Sequence, residues 1–150
     1  MNNTTIQNNT FLTAFRGSFV SMLRWPQLDT LWETLNQQAG AGWYAYAIGE
    51  TPPTEPLSAT EVANFIKEID SLLRREHEED YCGIVYVDEP SDPRLIKIYD
   101  PNNLGVSCGF SDNPPLPGWT LSLDPPCDLE QAQPAPANRR RWWQRLWQSD

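Results

Sequence analysis

Two short runs rich in Ile, Val and Tyr, residues 82–87 and 95–99, face each other across the seven-residue connection DEPSDPR, and no other stretch limits the fold so strongly. β-Branched and aromatic residues favour strands, while Pro and Asp favour the turn between them, so the pair predicts a central hairpin. Pairing Asp88 with Arg94 sets its register and places Cys82 opposite Asp100. Pro101 suits the first inner position of a type I turn, after which residues 104–108 return as a third strand. Residues 119–123 alternate Trp, Leu, Leu with Thr, Ser, which suits a half-buried last strand, and the aromatic run WYAYAI at 43–48, between Gly42 and Gly49, reads as another.

Helical spacing fills most of the rest. Phe11, Phe15, Phe19, Met22 and Leu23 recur at intervals of three and four and predict a helix that stops before Pro26. A second helix opens at that proline, carries Leu28, Leu31, Trp32 and Leu35, and ends at Gly40 and Gly42, so the two form a helical hairpin. The strongest signal lies over 58–76. Ser58 and Glu61 make a capping box, Leu57 and Val62 a hydrophobic staple, and Val62, Phe65, Ile66, Ile69, Leu72 and Leu73 follow one face. The predicted fold is therefore α+β: a helical hairpin and one long helix packed on a small, mainly antiparallel sheet of four to five strands, with a disordered N-terminal leader and C-terminal tail.

The boundaries follow composition. Residues 1–10 are a polar leader, 11–124 the globular domain, 125–138 a Pro/Ala/Gln-rich linker, and 139–150 a basic, Trp-rich amphipathic tail. The chain carries a net charge of −9, but its last twelve residues hold four arginines against one aspartate, so the body is more acidic still. An acidic body repels phosphate and makes nucleic acid an unlikely partner. No run approaches the roughly 20 apolar residues of a membrane span. Three cysteines form no disulfide framework, and the start MNNTTIQNNT lacks the basic and apolar regions of a signal peptide, so a cytoplasmic location is expected.

The tail RRRWWQRLWQSD concentrates candidate partner-binding residues: Arg139, Arg140, Arg141, Trp142, Trp143, Arg145 and Trp147. As a helix it gathers Trp143, Leu146 and Trp147, with Arg141 and Arg145 beside them. That pattern suits a groove on a protein partner, peripheral contact with an anionic membrane surface, or stacking on single-stranded nucleic acid; the plainer alternative is a tail that folds back on the acidic body.

Candidate chemistry is sparse. His77, Cys82, Cys108 and Cys127 are the soft metal ligands, but the two hairpin registers set Cys82 and Cys108 about 16 Å apart, far beyond zinc–sulfur bonds of about 2.3 Å. No metal and no cofactor are expected. The same register gathers Cys82, His77 and Asp100, the ingredients of a thiol nucleophile with its base and orienting acid, although no cysteine-hydrolase signature surrounds Cys82. The aspartates 88, 92, 100, 112 and 124 mostly lie at turns, where Asp caps backbone N–H groups. The reading leans against an enzyme. It favours a small adaptor or accessory factor that binds a protein partner through its acidic body and a tethered basic arm, with a Cys82–His77 hydrolase or thiol transferase as the alternative.

Overall fold

A computed structural model describes residues 10–102, 115–129 and 132–148. The expectations for residues 1–9, for the strand at 104–108 and for Cys108 and Asp112 lie outside these residues. In chain order the elements are α1 (Thr10–Phe15), β1 (Val20–Ser21), α2 (Trp25–Gln37), β2 (Tyr44–Ala47), α3 (Ala59–Glu76), β3 (Val85–Val87), β4 (Leu95–Ile98), β5 (Trp119–Ser122) and α4 (Ala137–Leu146). The five strands form one antiparallel sheet in the order β1-β3-β4-β5-β2. The α+β class, the long helix and the antiparallel sheet are as expected.

The sheet sorts its side chains by the two-residue alternation of a strand. Two cross-strand files, Val87–Ile96–Leu121–Ala45 and Val85–Ile98–Trp119–Ala47, lie on one face. They join Leu28, Leu31, Leu35, Phe65, Ile69, Leu72 and Leu73 of α2 and α3 in the main core. On the opposite face Tyr46 and Leu95 meet Phe11, and Phe15, Phe19, Leu116, Cys127 and Leu129 pack against them. The sheet is thus sandwiched, with helices on one side and α1 together with Cys127, Leu129 and Ala132 on the other. This corrects the half-buried reading of β5: all four of its residues are buried, because both faces are covered.

Helix α3 follows its local signals closely. Glu61 N–H donates to Ser58 Oγ at 3.1 Å and Ser58 N–H donates to Glu61 Oε1 at 2.9 Å, so both halves of the capping box are made. Its six apolar positions are all buried. Helix α2 opens with Pro26 in its first turn, as the sequence predicts.

Two local expectations are corrected. The first helix ends at Phe15, where Gly17 N–H closes on the Ala14 carbonyl at 3.0 Å. The chain from Val20 then joins the sheet, so there is no helical hairpin. Phe11, Phe15 and Phe19 serve one face of the sheet and Met22 the other, and a single helical stripe cannot reach both. Beyond β1 the pairing continues from Met22 N–H to the Val85 carbonyl (2.8 Å) and from Cys82 N–H to the Leu23 carbonyl (2.8 Å), and Gly83 takes up the change of register at a φ of 71°.

The central hairpin is also one residue out of the expected register: Val85 pairs with Ile98 and Val87 with Ile96. Asp88 sets this register, its carboxylate accepting from the N–H groups of Glu89, Arg94 and Leu95 at 2.9, 3.0 and 3.2 Å, so the loop closes on Leu95 rather than Arg94. The shift takes Cys82 out of line with Asp100.

Replacing Ser58 with Ala should cost about 1 kcal/mol of stability in chemical denaturation through the lost cap. An unchanged midpoint would contradict the helix start described here.

Candidate functional site

The segment predicted to hang free is built into the molecule. Helix α4 and its C-cap Trp147 set Arg139, Trp142, Trp143, Leu146 and Trp147 at spacings of three and four, and this stripe faces the core. Trp142 meets Trp119 edge-on with centroids 5.4 Å apart. Phe65 of α3 stacks on Trp147 at 6.2 Å and receives Trp143 edge-on at 6.1 Å. Aromatic pairs in such arrangements add roughly 0.5–1.5 kcal/mol each beyond their burial. Asn64 Nδ2 donates to the Leu146 carbonyl at 3.4 Å, satisfying one carbonyl at the helix end.

Arg139 heads the stripe and is 5% exposed. Its guanidinium grips two carboxylates from different elements. Nε and Nη2 donate to Asp100 at 2.7 and 2.9 Å, and Nη2 and Nη1 donate to Glu76 at 2.6 and 3.1 Å. The planar fork suits such paired contacts. Asn102 completes the cluster, its backbone N–H reaching Asp100 and its side chain donating to Glu76 at 2.7 Å. Glu76 is the last residue of α3, where a negative charge opposes the helix dipole, and the cation beside it offsets that penalty. The Arg139 hydrogen bonds hold the Glu76 carboxyl well below the usual range, at about 2.

The candidate partner-binding residues therefore divide. Arg139, Trp142, Trp143 and Trp147 are turned inward, whereas Arg140, Arg141 and Arg145 are exposed on the outer face. The expectation of a disordered tail that presents all seven is corrected, because the aromatic stripe has a better apolar surface in Phe65 and Trp119 than in water. The chain leading into α4 also lies close to the body: a methyl group at Gly49 would collide with the Gln133 carbonyl oxygen and lie 3.2 Å from Pro134 Cα. Between this segment and residues 115–119 lies a cleft of about 430 Å3, with Ile48, Leu116, Pro134, Arg140 and Trp143 among its walls.

The proposed thiol site is not assembled. Cys82 is fully buried and burial pushes its thiol up, the reverse of an activated thiolate. His77 Nε2 donates to the backbone carbonyl of Cys82 at 2.9 Å, and its ring lies edge-on to Trp25 and Tyr81, each at 6.2 Å. Asp100 directs its carboxylate to Arg139 and to the Asn102 N–H, whereas His77 donates to the Cys82 carbonyl, so the acid and the imidazole are not paired. Among the described residues no group of three or more His, Cys, Asp or Glu could hold a metal ion, and no helix is long and apolar enough to cross a membrane.

Sequence reasoning missed Glu76 and Asn102. The available signal was Arg139 itself, a charged residue at the head of an apolar stripe, which requires a carboxylate wherever the stripe is buried. Compared with protein-family models, curated proteins and solved structures, the chain matches none of them.

Replacing Arg139 with Met should destabilise the fold by about 3–5 kcal/mol, since two carboxylates lose their shared cation, and should shift tryptophan emission to the red as α4 loosens. Adding Asp100→Asn should recover part of the loss; full stability of Arg139→Met alone would refute the clasp. Because folding depresses the Glu76 carboxyl, its contribution is present above the ordinary carboxylate range and is lost as pH falls from about 4.5 through about 2. Acid unfolding of the Glu76→Gln variant should therefore be shallower over that window.

Proposed function

We propose that the protein is a small non-enzymatic accessory factor, an adaptor in the cytoplasm that holds a protein partner through its acidic body and the outer face of α4. The observation that carries this reading is the split of α4 into an inward aromatic stripe and an outward ridge of exposed Arg140, Arg141 and Arg145. On a chain with a net charge of −9, that ridge is a local patch of opposite sign. Surfaces of mixed polarity orient an incoming partner and reject like-charged ones. The ridge is also rigid, since the clasp fixes the helix that bears it, and a preorganised surface loses less entropy on binding than a free arm.

The same geometry ranks the other partners. Tryptophans that pack against Phe65 and Trp119 are not free to enter a bilayer interface. Three arginines alone supply about 1 kcal/mol each at an anionic membrane surface, too little for lasting attachment. The acidic body disfavours nucleic acid. A thiol enzyme would need an activated Cys82, and burial acts against one.

Reversing the ridge with Arg140→Glu, Arg141→Glu and Arg145→Glu should leave stability within about 0.5 kcal/mol, as expected of exposed positions. It should abolish salt-sensitive cross-linking of the chain to its partner in native cells. Undiminished cross-linking by the reversed chain would contradict the reading, and ridge-dependent binding to phosphatidylserine vesicles without any cross-linked protein would replace it with membrane contact.

A further inference from the structure

The three exposed large apolar side chains among the described residues are Val20, Leu23 and Tyr81, at 49%, 52% and 50% exposure, and they fall at one edge of the sheet. Val20 belongs to β1, which ends the strand order, so no described strand lies beyond it. Leu23 continues that edge and pairs through its carbonyl with Cys82, next to Tyr81. Leu23 and Tyr81 converge over Gly83: a methyl group there would meet Tyr81 Cδ2 at 3.3 Å and Leu23 Cδ1 at 4.0 Å.

Beside this patch is a ladder of flat groups. Arg74 Cζ lies 4.8 Å over Trp25, Trp25 meets His77, and His77 meets Tyr81. The indole N–H of Trp25 donates to the Glu79 carbonyl at 3.0 Å, which holds the acidic run against the ladder. Trp25, Arg74, His77, Glu78, Glu79 and Asp80 line a shallow hollow of about 280 Å3. Arg74, the one Lys or Arg in its walls among the described residues, is already engaged by Asp29 at 2.6 Å and Asp70 at 2.9 Å. With Glu78, Glu79 and Asp80 in its walls, the hollow is acidic.

We propose that this edge is a docking site for an extended segment of a protein partner that carries Lys or Arg next to an apolar residue. The apolar side chain covers Leu23 and Tyr81. The cation enters the hollow between the Trp25 and His77 rings and the Glu78, Glu79 and Asp80 carboxylates, where aromatic faces and negative charge both favour it. Charge selects this occupant over a second copy of the chain, because two copies meeting at this edge would bring their acidic runs together. The inference rests on the adaptor reading and assigns its acidic body a specific face, separate from the arginine ridge of α4.

The test is fluorescence anisotropy of the full chain with a labelled hexapeptide of alternating Arg and Val, and with its Glu and Val counterpart. The basic peptide should bind, weaken as salt rises from about 0.05 to 0.5 M, and lose at least about tenfold in affinity on Leu23→Ser with Tyr81→Ser, a change of roughly 1.4 kcal/mol. The acidic peptide should not bind, and reversal of the arginine ridge should leave the affinity for the basic peptide unchanged. Glu79→Gln with Asp80→Asn provides a second variant that keeps the apolar patch, and it too should weaken binding. Equal affinity in the patch and carboxylate variants, equal binding of the acidic peptide, or a wild-type dimer in sedimentation that Leu23→Ser and Tyr81→Ser dissociate would each overturn the proposal. If the peptide ignores this edge while ridge-dependent cross-linking persists, the edge site fails and the adaptor reading stands. Peptide binding at this edge with no cross-linked cellular partner would fail the adaptor reading instead.

Discussion

A single buried guanidinium decides which surfaces this protein shows to the outside. Arg139 lies between Asp100, beyond the end of β4, and Glu76, at the end of α3, and so ties the C-terminal helix to both the sheet and the helical layer. Burying Arg139 and Asp100, with Glu76 half-buried beside them, is costly, and apolar residues in their place would hold the helix as well or better. What the ionic arrangement adds is direction. A fork that satisfies two carboxylates accepts one rotation of α4, and that rotation turns Trp142, Trp143 and Trp147 inward and Arg140, Arg141 and Arg145 outward.

The remaining architecture supports the clasp. The hairpin of β3 and β4 delivers Asp100 to the end of the sheet, and Gly118, just before β5, packs against that aspartate, where a methyl group would lie 3.3 Å from Asp100 Cβ. Helix α3 supplies Phe65 as the platform for two tryptophans. Because α1 and the side chains of Cys127, Leu129 and Ala132 cover the opposite face, the central strands are buried on both sides, and exposed apolar surface is left at the β1 edge. Two features of opposite character then face solvent: an arginine ridge, and an apolar edge bordered by carboxylates.

Much of this was legible in the residues, and what was not has physical reasons. Helix α3 was readable because its capping box and apolar stripe are local. The hairpin was readable as a hairpin, but its register turned on the Asp88 carboxylate gathering three backbone N–H groups, which spacing alone does not reveal. The stripe through Phe11, Phe15, Phe19 and Met22 looked like one helix because two sides of a sheet can share residues at the same intervals. The partners of Arg139 lie 39 and 63 positions away, so no local pattern marks them. The composition of the tail drew attention to seven residues as free to bind, but four of them, Arg139, Trp142, Trp143 and Trp147, are turned to the core.

The most direct measurement is the thermal midpoint of the chain ended after Pro136 against that of the full chain. If α4 completes the core, its removal exposes Phe65 and Trp119 and strands two carboxylates, and the midpoint should fall by at least about 10 °C. An unchanged midpoint would mean that the helix only rests on the surface, and the separation of inward tryptophans from outward arginines would lose its basis.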